Sequence, residues 1–253
     1  MNFTKLYNLV FFLTAAKLES ENKRSFIGYA WWILDPLMSV AIYYLLFKVI
    51  LTRGGPDYIE FLFLGLITWK WLATAATKSG EILDDRKKLI KKIYIPKYVF
   101  PMVETFYHTW KFLVVFAFVI VVYAFVGYTP NLKYFWLPVI LLAQLTLILG
   151  MGGLFSAFVP FAPDLKFVIA HIFRLAFYPA GVLFSLDMVP EKYVVFIKYN
   201  VIAQLLQSYR DVIMYNSHPS LWAVSLVFSI GIVLCGLSLY FLNRFDEKYA
   251  KLI

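Results

Sequence analysis

The stretch VVFAFVIVVYAFV, residues 114–126, decides the fold class. A strand of a membrane barrel would alternate polar and apolar side chains over about 10 positions, whereas this run is apolar all round. That makes it a helix suited to the bilayer core, which is about 30 Å thick and takes about 20 mostly apolar residues to cross. Working outward, the apolar run extends over 102–126, and five more segments qualify at 33–51, 59–76, 135–158, 167–184 and 221–242. The composition agrees: hydrophobic residues make up 62% of the 253 positions and aromatic residues 20%, with a mean hydropathy of +0.73, far from a soluble globular domain. No polar linker is long enough to separate domains. The expectation is an all-α integral membrane protein with six transmembrane helices in a single domain, 1–253.

The net charge of +9 is not spread along one soluble face, which argues against a nucleic-acid partner. Lys5, Lys17, Lys23 and Arg24 precede the first span, seven Lys or Arg lie between Lys78 and Lys97, Lys166 follows the fourth span, and Arg244, Lys248 and Lys251 follow the last. The alternate loops hold only Arg53, Lys133, Lys192, Lys198 and Arg210. The positive-inside rule therefore predicts that both termini are cytoplasmic.

In segment 1–30, Lys5 followed by LVFFLTAA resembles a signal peptide, but Asn8 interrupts the apolar run and charges follow it. Phe3, Leu6, Tyr7, Val10 and Phe11 recur at helical spacing over a length too short to span, which predicts a helix lying in the membrane interface. SFIGYAWWILDPL then opens the first span, with Asp35 and Pro36 read as a cap and first-turn pair; one helix kinked at Pro36 is the alternative. The long segment 187–220 faces outward and is amphipathic in KYVVFIKYNVIAQLLQSYRDVIMY, which predicts two short helices dipping partly into the membrane, or a plain interfacial loop.

Lys48 lies near the outer end of a span and can snorkel, but Lys70, Lys111 and Arg174 fall within spans, where an unpaired charge costs about 2.5 to 3.5 kcal/mol. They either pair inside the bundle, with Glu104 the nearest acid in the spans, or face a hydrated path for an anionic substrate. Trp32, Tyr43 and Phe47 in the first span, and Phe173, Phe177 and Phe184 in the fifth, recur at helical spacing. Such stripes ordinarily pack against lipid or core; the sharper reading is a sugar channel, since aromatic faces stack on the C–H faces of pyranose rings.

No GxxxxGK[ST] phosphate loop occurs, so this chain is not expected to hydrolyse ATP by itself. His108, His171 and His218 lie on separate segments without ligand spacing, no HExxH or CxxC is present, and no metal site is expected. GxSxG is absent too. The only cysteine, Cys235, sits inside the last span and reads as a small packing residue.

The densest basic cluster is DDRKKLIKKIYIPK, residues 84–97. In the wider 78–97 segment Ile82, Leu89 and Ile93 share a helical face beside Leu83, Ile90 and Tyr94, which predicts a helix parallel to the membrane, stopped by Pro96. Anionic lipid is the plain partner for such a helix. Glu81, Asp84 and Asp85 before the lysines favour a protein partner that uses both signs.

Three stretches together resemble the membrane subunits of type-2 ATP-binding-cassette exporters, particularly polysaccharide permeases of the Wzm type and their teichoic-acid relatives. They are KRSFIGYAWWILDPL, with Ser25, Gly28, Trp32 and Pro36; LIKKIYIPKYVFP, with Leu89, Lys91, Lys92, Pro96 and Pro101; and YNVIAQLLQSYRDVIMY. In the last, Asn200, Tyr209 and Arg210 match the family pattern, while Val201 stands where the family has proline. The resemblance implies a homodimer in the bacterial inner membrane. It would work with two cytoplasmic ATPase subunits that bind the ATP and Mg, and would export a lipid-linked polysaccharide such as an O-antigen; this chain itself would bind no cofactor. Segment 78–97 would be the coupling helix, with Glu81, Asp84, Asp85, Arg86, Lys87, Lys88, Lys91, Lys92 and Ile93 facing the ATPase. The 187–220 helices, with Asn200, Tyr209 and Arg210, would gate the outer end, and the N-terminal helix would lie where the lipid substrate enters. A same-family exporter of a small lipid or drug, and a membrane-embedded glycosyl transfer enzyme, are the competing readings.

Overall fold

The structure, a computed structural model, describes residues 3–24, 28–50, 52, 55–92, 94–185 and 189–252. Among these every regular element is helical. Ser25, Arg53, Asp187 and the proposed contact residue Ile93 lie outside the described residues.

Helix α3 (Tyr58–Asp85) is the hub, because its apolar side chains continue around the whole circumference from Phe61 to Trp69 and all of them are buried. Its 28 residues make a rod of about 42 Å at 1.5 Å per residue. Around it pack α2 (Ala30–Tyr44), α5 (Val99–Val126), α6 (Leu137–Phe158), α7 (Leu165–Ala176) and α9 (Val201–Ile213), while α10 (Leu221–Arg244) lies along α6.

Helix α2 runs unbroken through Pro36, so the segment is one helix, as in the alternative reading, and Asp35 is not a cap. Its buried stripe Trp32, Pro36, Val40 recurs every fourth residue. Beyond Tyr44 the winding widens into a π-helical segment, Leu45–Ile50. The N-terminal helix α1 (Phe3–Arg24) packs on α5, burying Val10 while Tyr7, Phe11 and Phe12 stay exposed.

Helices α6 and α10 approach so closely that glycine is required at the contact. A Cβ at Gly150 would lie 2.6 Å from Leu234 Cβ and 2.9 Å from the Cys235 amide nitrogen; one at Gly231 would lie 2.7 Å from the Leu147 amide nitrogen. Since these neighbours include backbone, the helices must separate to admit a side chain. Gly231→Leu is expected to destabilise the protein by about 3 kcal/mol, the upper end for overpacking, read as thermal unfolding in detergent. An unchanged midpoint would mean that the α6–α10 spacing is not fixed here.

Two expectations change. Five helices among the described residues are long and apolar enough to cross a membrane: Ala30–Ile50, Tyr58–Asp85, Val99–Val126, Leu132–Phe158 and Leu221–Arg244. The apolar segment 167–184 does not form one long helix; α7 ends at Ala176, and its 12 residues reach only about 18 Å. Pro179 brings no amide hydrogen and disfavours helix in the residue before it, and Gly181 takes a left-handed φ of +67°.

Nor is there one helix over 78–97. Residues 78–85 are the last turns of α3, held straight because Ser79 Oγ lies 2.8 Å from Thr105 Oγ1 and Gly80 sits against Phe155. Only α4 (Lys87–Ile90) forms a separate turn. It rests on a second apolar cluster of Ile82, Leu83, Ile90, Phe100, Ala157, Leu242 and Tyr249, the last belonging to α11 (Asp246–Leu252). The segment 189–220 does contain two short helices, α8 (Glu191–Lys198) and α9.

Candidate functional site

A groove of about 440 Å³ runs between α2, α3 and α7. Helical spacing on α3 turns Leu66, Trp69, Lys70, Ala73 and Thr77 toward it, and α7 contributes Phe173 and Arg174. Its rings form one connected cluster: Tyr43 lies 5.7 Å from Phe177, Trp69 lies 6.3 Å from Phe173 and 6.0 Å from Phe177, and Phe177 lies 5.6 Å from Tyr178. Three cations border it. Lys70 donates to Asp35 Oδ2 and Ser39 Oγ at 2.8 Å each, Lys78 pairs with Glu81 at 2.8 Å, and Arg174 is exposed.

The six aromatic candidates therefore divide. Tyr43, Phe173 and Phe177 share the groove; Phe47 and Phe184 line a separate cavity with Tyr58, Tyr193 and Ile197. Trp32 is buried toward α5, where the Lys111 ammonium sits 5.2 Å from its ring centre. Trp69 and Tyr178 belong to the groove but were not singled out in the sequence. Trp69 stands inside the apolar segment 59–76 and looks like core, which it also is: it is 5% exposed.

The intramembrane charges are partly paired. Lys111 bonds not to Glu104 but to Glu21 of α1, at 2.7 Å, while Glu104 pairs with Lys17 of α1. These contacts staple α1 to α5. Burial opposes ionisation of Glu21, yet the Lys111 ammonium and the Tyr107 hydroxyl outweigh it and hold the carboxyl below its ordinary range.

At the far end of the groove Arg210 ties the non-helical run after α7 to the hub. It is 1% exposed, donates through Nη1 to Gly181 O at 2.8 Å and through Nη2 to Val182 O and Phe61 O at 3.1 Å each, and covers the Phe61 ring at 3.4 Å. A Cβ at Gly65 would overlap this guanidinium. Tyr58 donates to Leu183 O at 2.9 Å, and Asn200 Nδ2 to Pro179 O at 2.9 Å while its Oδ1 caps α9 through the amides of Ile202 and Ala203. Tyr209 donates to Gln144 Oε1 at 2.8 Å, and Gln144 donates to Thr68 O at 2.9 Å. Asn200 and Arg210 thus converge, with Tyr58, on the carbonyls of residues 179–183, while Tyr209 ties α9 to α3 through Gln144; no local pattern marks Tyr58 or Gln144. In an apolar surrounding every backbone carbonyl needs a donor, and Asn200, Arg210 and Tyr58 supply the ones the broken helix lacks.

At the opposite, basic end Glu81, Asp84 and Asp246 are half-buried. Asp84 pairs with Lys87 at 2.6 Å and with Lys166, at the start of α7, at 3.6 Å; Lys97, 3% exposed, pairs with Asp246 at 3.4 Å. Arg86, Lys88, Lys91 and Lys92 are exposed and Lys87 half-buried. The mixed-sign surface expected from the sequence is therefore largely a basic one, since Glu81 and Asp84 are taken up by lysines of the same chain; Asp85 remains exposed.

No protein-family model matches the chain. It is 32% identical over its whole length to an O-antigen export system permease protein RfbA of Klebsiella pneumoniae, covering 97% of that relative, and 31% identical to a second Klebsiella pneumoniae protein of the same name. A protein of that name from Myxococcus xanthus is 24% identical over 97% of this chain. Similarity of that extent, with several helices long and apolar enough to cross a membrane, makes the chain a multi-pass transport component, and it belongs to the O-antigen export permease family.

Proposed function

We propose that the chain is the membrane half of an ATP-driven exporter of a lipid-linked O-antigen or similar surface polysaccharide. The observation that carries this reading is the aromatic cluster of the α2–α3–α7 groove, where Tyr43, Phe177 and Tyr178 are accessible and the buried Trp69 and Phe173 back them. Ring faces hold pyranose C–H faces by dispersion without fixing each hydroxyl, so a polymer of varied linkage can slide along them. Arg174, exposed at the groove's border, suits anionic groups on the same substrate, while Lys70 and Lys78 are paired with Asp35 and Glu81.

The groove is open along one side in a single chain, and a homodimer in the inner membrane would close it into a channel. Both termini and the basic end face the cytoplasm in this reading, on the positive-inside count. Two separate ATPase subunits, carrying ATP and Mg, engage the α3–α4 turn, while α8 and α9 form a re-entrant outer gate and α7 with the run after it makes the sixth crossing, its backbone satisfied inside protein. ATP-driven closure of the partner acts by favouring one of two arrangements of the helices around the channel.

Deletion of the chain in its host is expected to abolish surface polymer and to accumulate undecaprenyl-linked glycan inside the inner membrane, with wild-type complementation reversing both. Normal surface glycan with accumulation of another lipid would turn the reading toward a lipid exporter.

A further inference from the structure

A second cavity, of about 300 Å³, lies on the other side of α2, between α3 and α5. Indoles dominate its walls: Trp31 is 46% exposed, Trp32 and Trp71 are buried, and Trp71 is fixed by stacking on Phe112 at 4.2 Å and 8°. Its charges cancel in two ion pairs, Lys70 with Asp35 at 2.8 Å and Lys111 with Glu21 at 2.7 Å. A phosphate would meet two carboxylates here as well as two ammoniums. A sugar would not be repelled, since its hydroxyls both donate and accept, and its C–H faces suit indole rings.

The position adds to the chemistry. Lys70 and Thr74 line this cavity and the groove alike, so the two are separated only by α2 and the Lys70 tie to Asp35 and Ser39. The cavity also borders α1 through Glu21, and Trp31 suits the headgroup level of a bilayer. Resting on the proposed polysaccharide substrate, we infer that this cavity is a saccharide-binding vestibule. It holds one or two sugar residues of the lipid-linked glycan beside α2 before they pass Lys70 into the groove.

The test uses the full chain with its ATPase in cells that make the glycan. The photo-reactive residue p-benzoylphenylalanine is placed at position 31 in the vestibule, at 178 in the groove, or at 240 on the exposed face of α10. Irradiation is expected to give glycan-bearing adducts at 31 and 178 and none at 240. Adducts at 178 with none at 31, or phospholipid adducts alone at 31, would overturn the vestibule and leave the exporter reading standing. No glycan adduct at either position, together with no glycan accumulation on deletion, would overturn the exporter reading instead. Trp31→Ala is expected to lower export about three- to tenfold, the worth of one aromatic contact, with Trp31→Phe recovering part of it. Unchanged export by Trp31→Ala at wild-type protein levels would also count against the vestibule.

Discussion

Arg210→Met is expected to destabilise the protein by about 3 to 5 kcal/mol, because methionine fills the stem of the side chain and leaves the non-helical carbonyls of Gly181 and Val182 without donors, at roughly 1 to 3 kcal/mol for each buried unsatisfied group. Phe61 O loses less, since it sits within α3 and keeps its helical partner. Arg210→Lys should recover only part of the loss. An ammonium has three donors on one atom and lacks the planar fork that reaches α3 and residues 181–182 together. Gly65→Ala should act in the same direction by displacing the guanidinium. Thermal unfolding in detergent and the level of protein in the membrane measure these effects. A shift below about 1 kcal/mol for Arg210→Met would mean that water replaces the guanidinium, and that the network does not hold the far end of the groove.

The second large effect concerns the basic end. Combined reversal of Arg86, Lys88, Lys91 and Lys92 to glutamate is expected to abolish co-purification of the ATPase, since these are exposed charges of the α3–α4 turn. Asp84→Asn should behave differently. Its carboxylate is only 12% exposed and holds Lys87 of α4 and Lys166 at the head of α7, so it joins the turn proposed to meet the ATPase to the helix that lines the groove. Capture of the ATPase should survive, while glycan exported per ATP hydrolysed falls about thirtyfold, the middle of the range for a coupling free energy of 1 to 3 kcal/mol. Equal loss of both quantities in Asp84→Asn would place Asp84 in the contact itself. Wild-type coupling would remove it from the path.

Much of the membrane architecture was legible because span formation depends on local composition. Residues 114–126 are apolar on every side, and nothing in the rest of the chain alters that. The limits of the same rule show at 167–184, equally apolar by composition, where Pro179 and Gly181 end α7 at Ala176. They show again at 78–85, where a surface helix was read from periodicity, although Ser79, Gly80 and Leu83 are buried in the bundle and carry α3 straight on. A stripe of apolar residues looks the same whether it faces lipid headgroups or a neighbouring helix.

The candidate site divides along the same line. Asn200, Tyr209 and Arg210 stood out through family pattern, but Tyr58, Gln144 and the carbonyls of Gly181 and Val182 are distant in sequence and carry no local mark. By itself the sequence determined that this chain is helical, crosses a membrane repeatedly and concentrates positive charge at particular loops, because hydropathy and charge act residue by residue. Which rings meet, which lysine finds which carboxylate and where a broken helix obtains its hydrogen bonds were decided only by the tertiary structure. Those are pairings between distant segments, and their energies exist only once packing has brought the partners within about 3 Å.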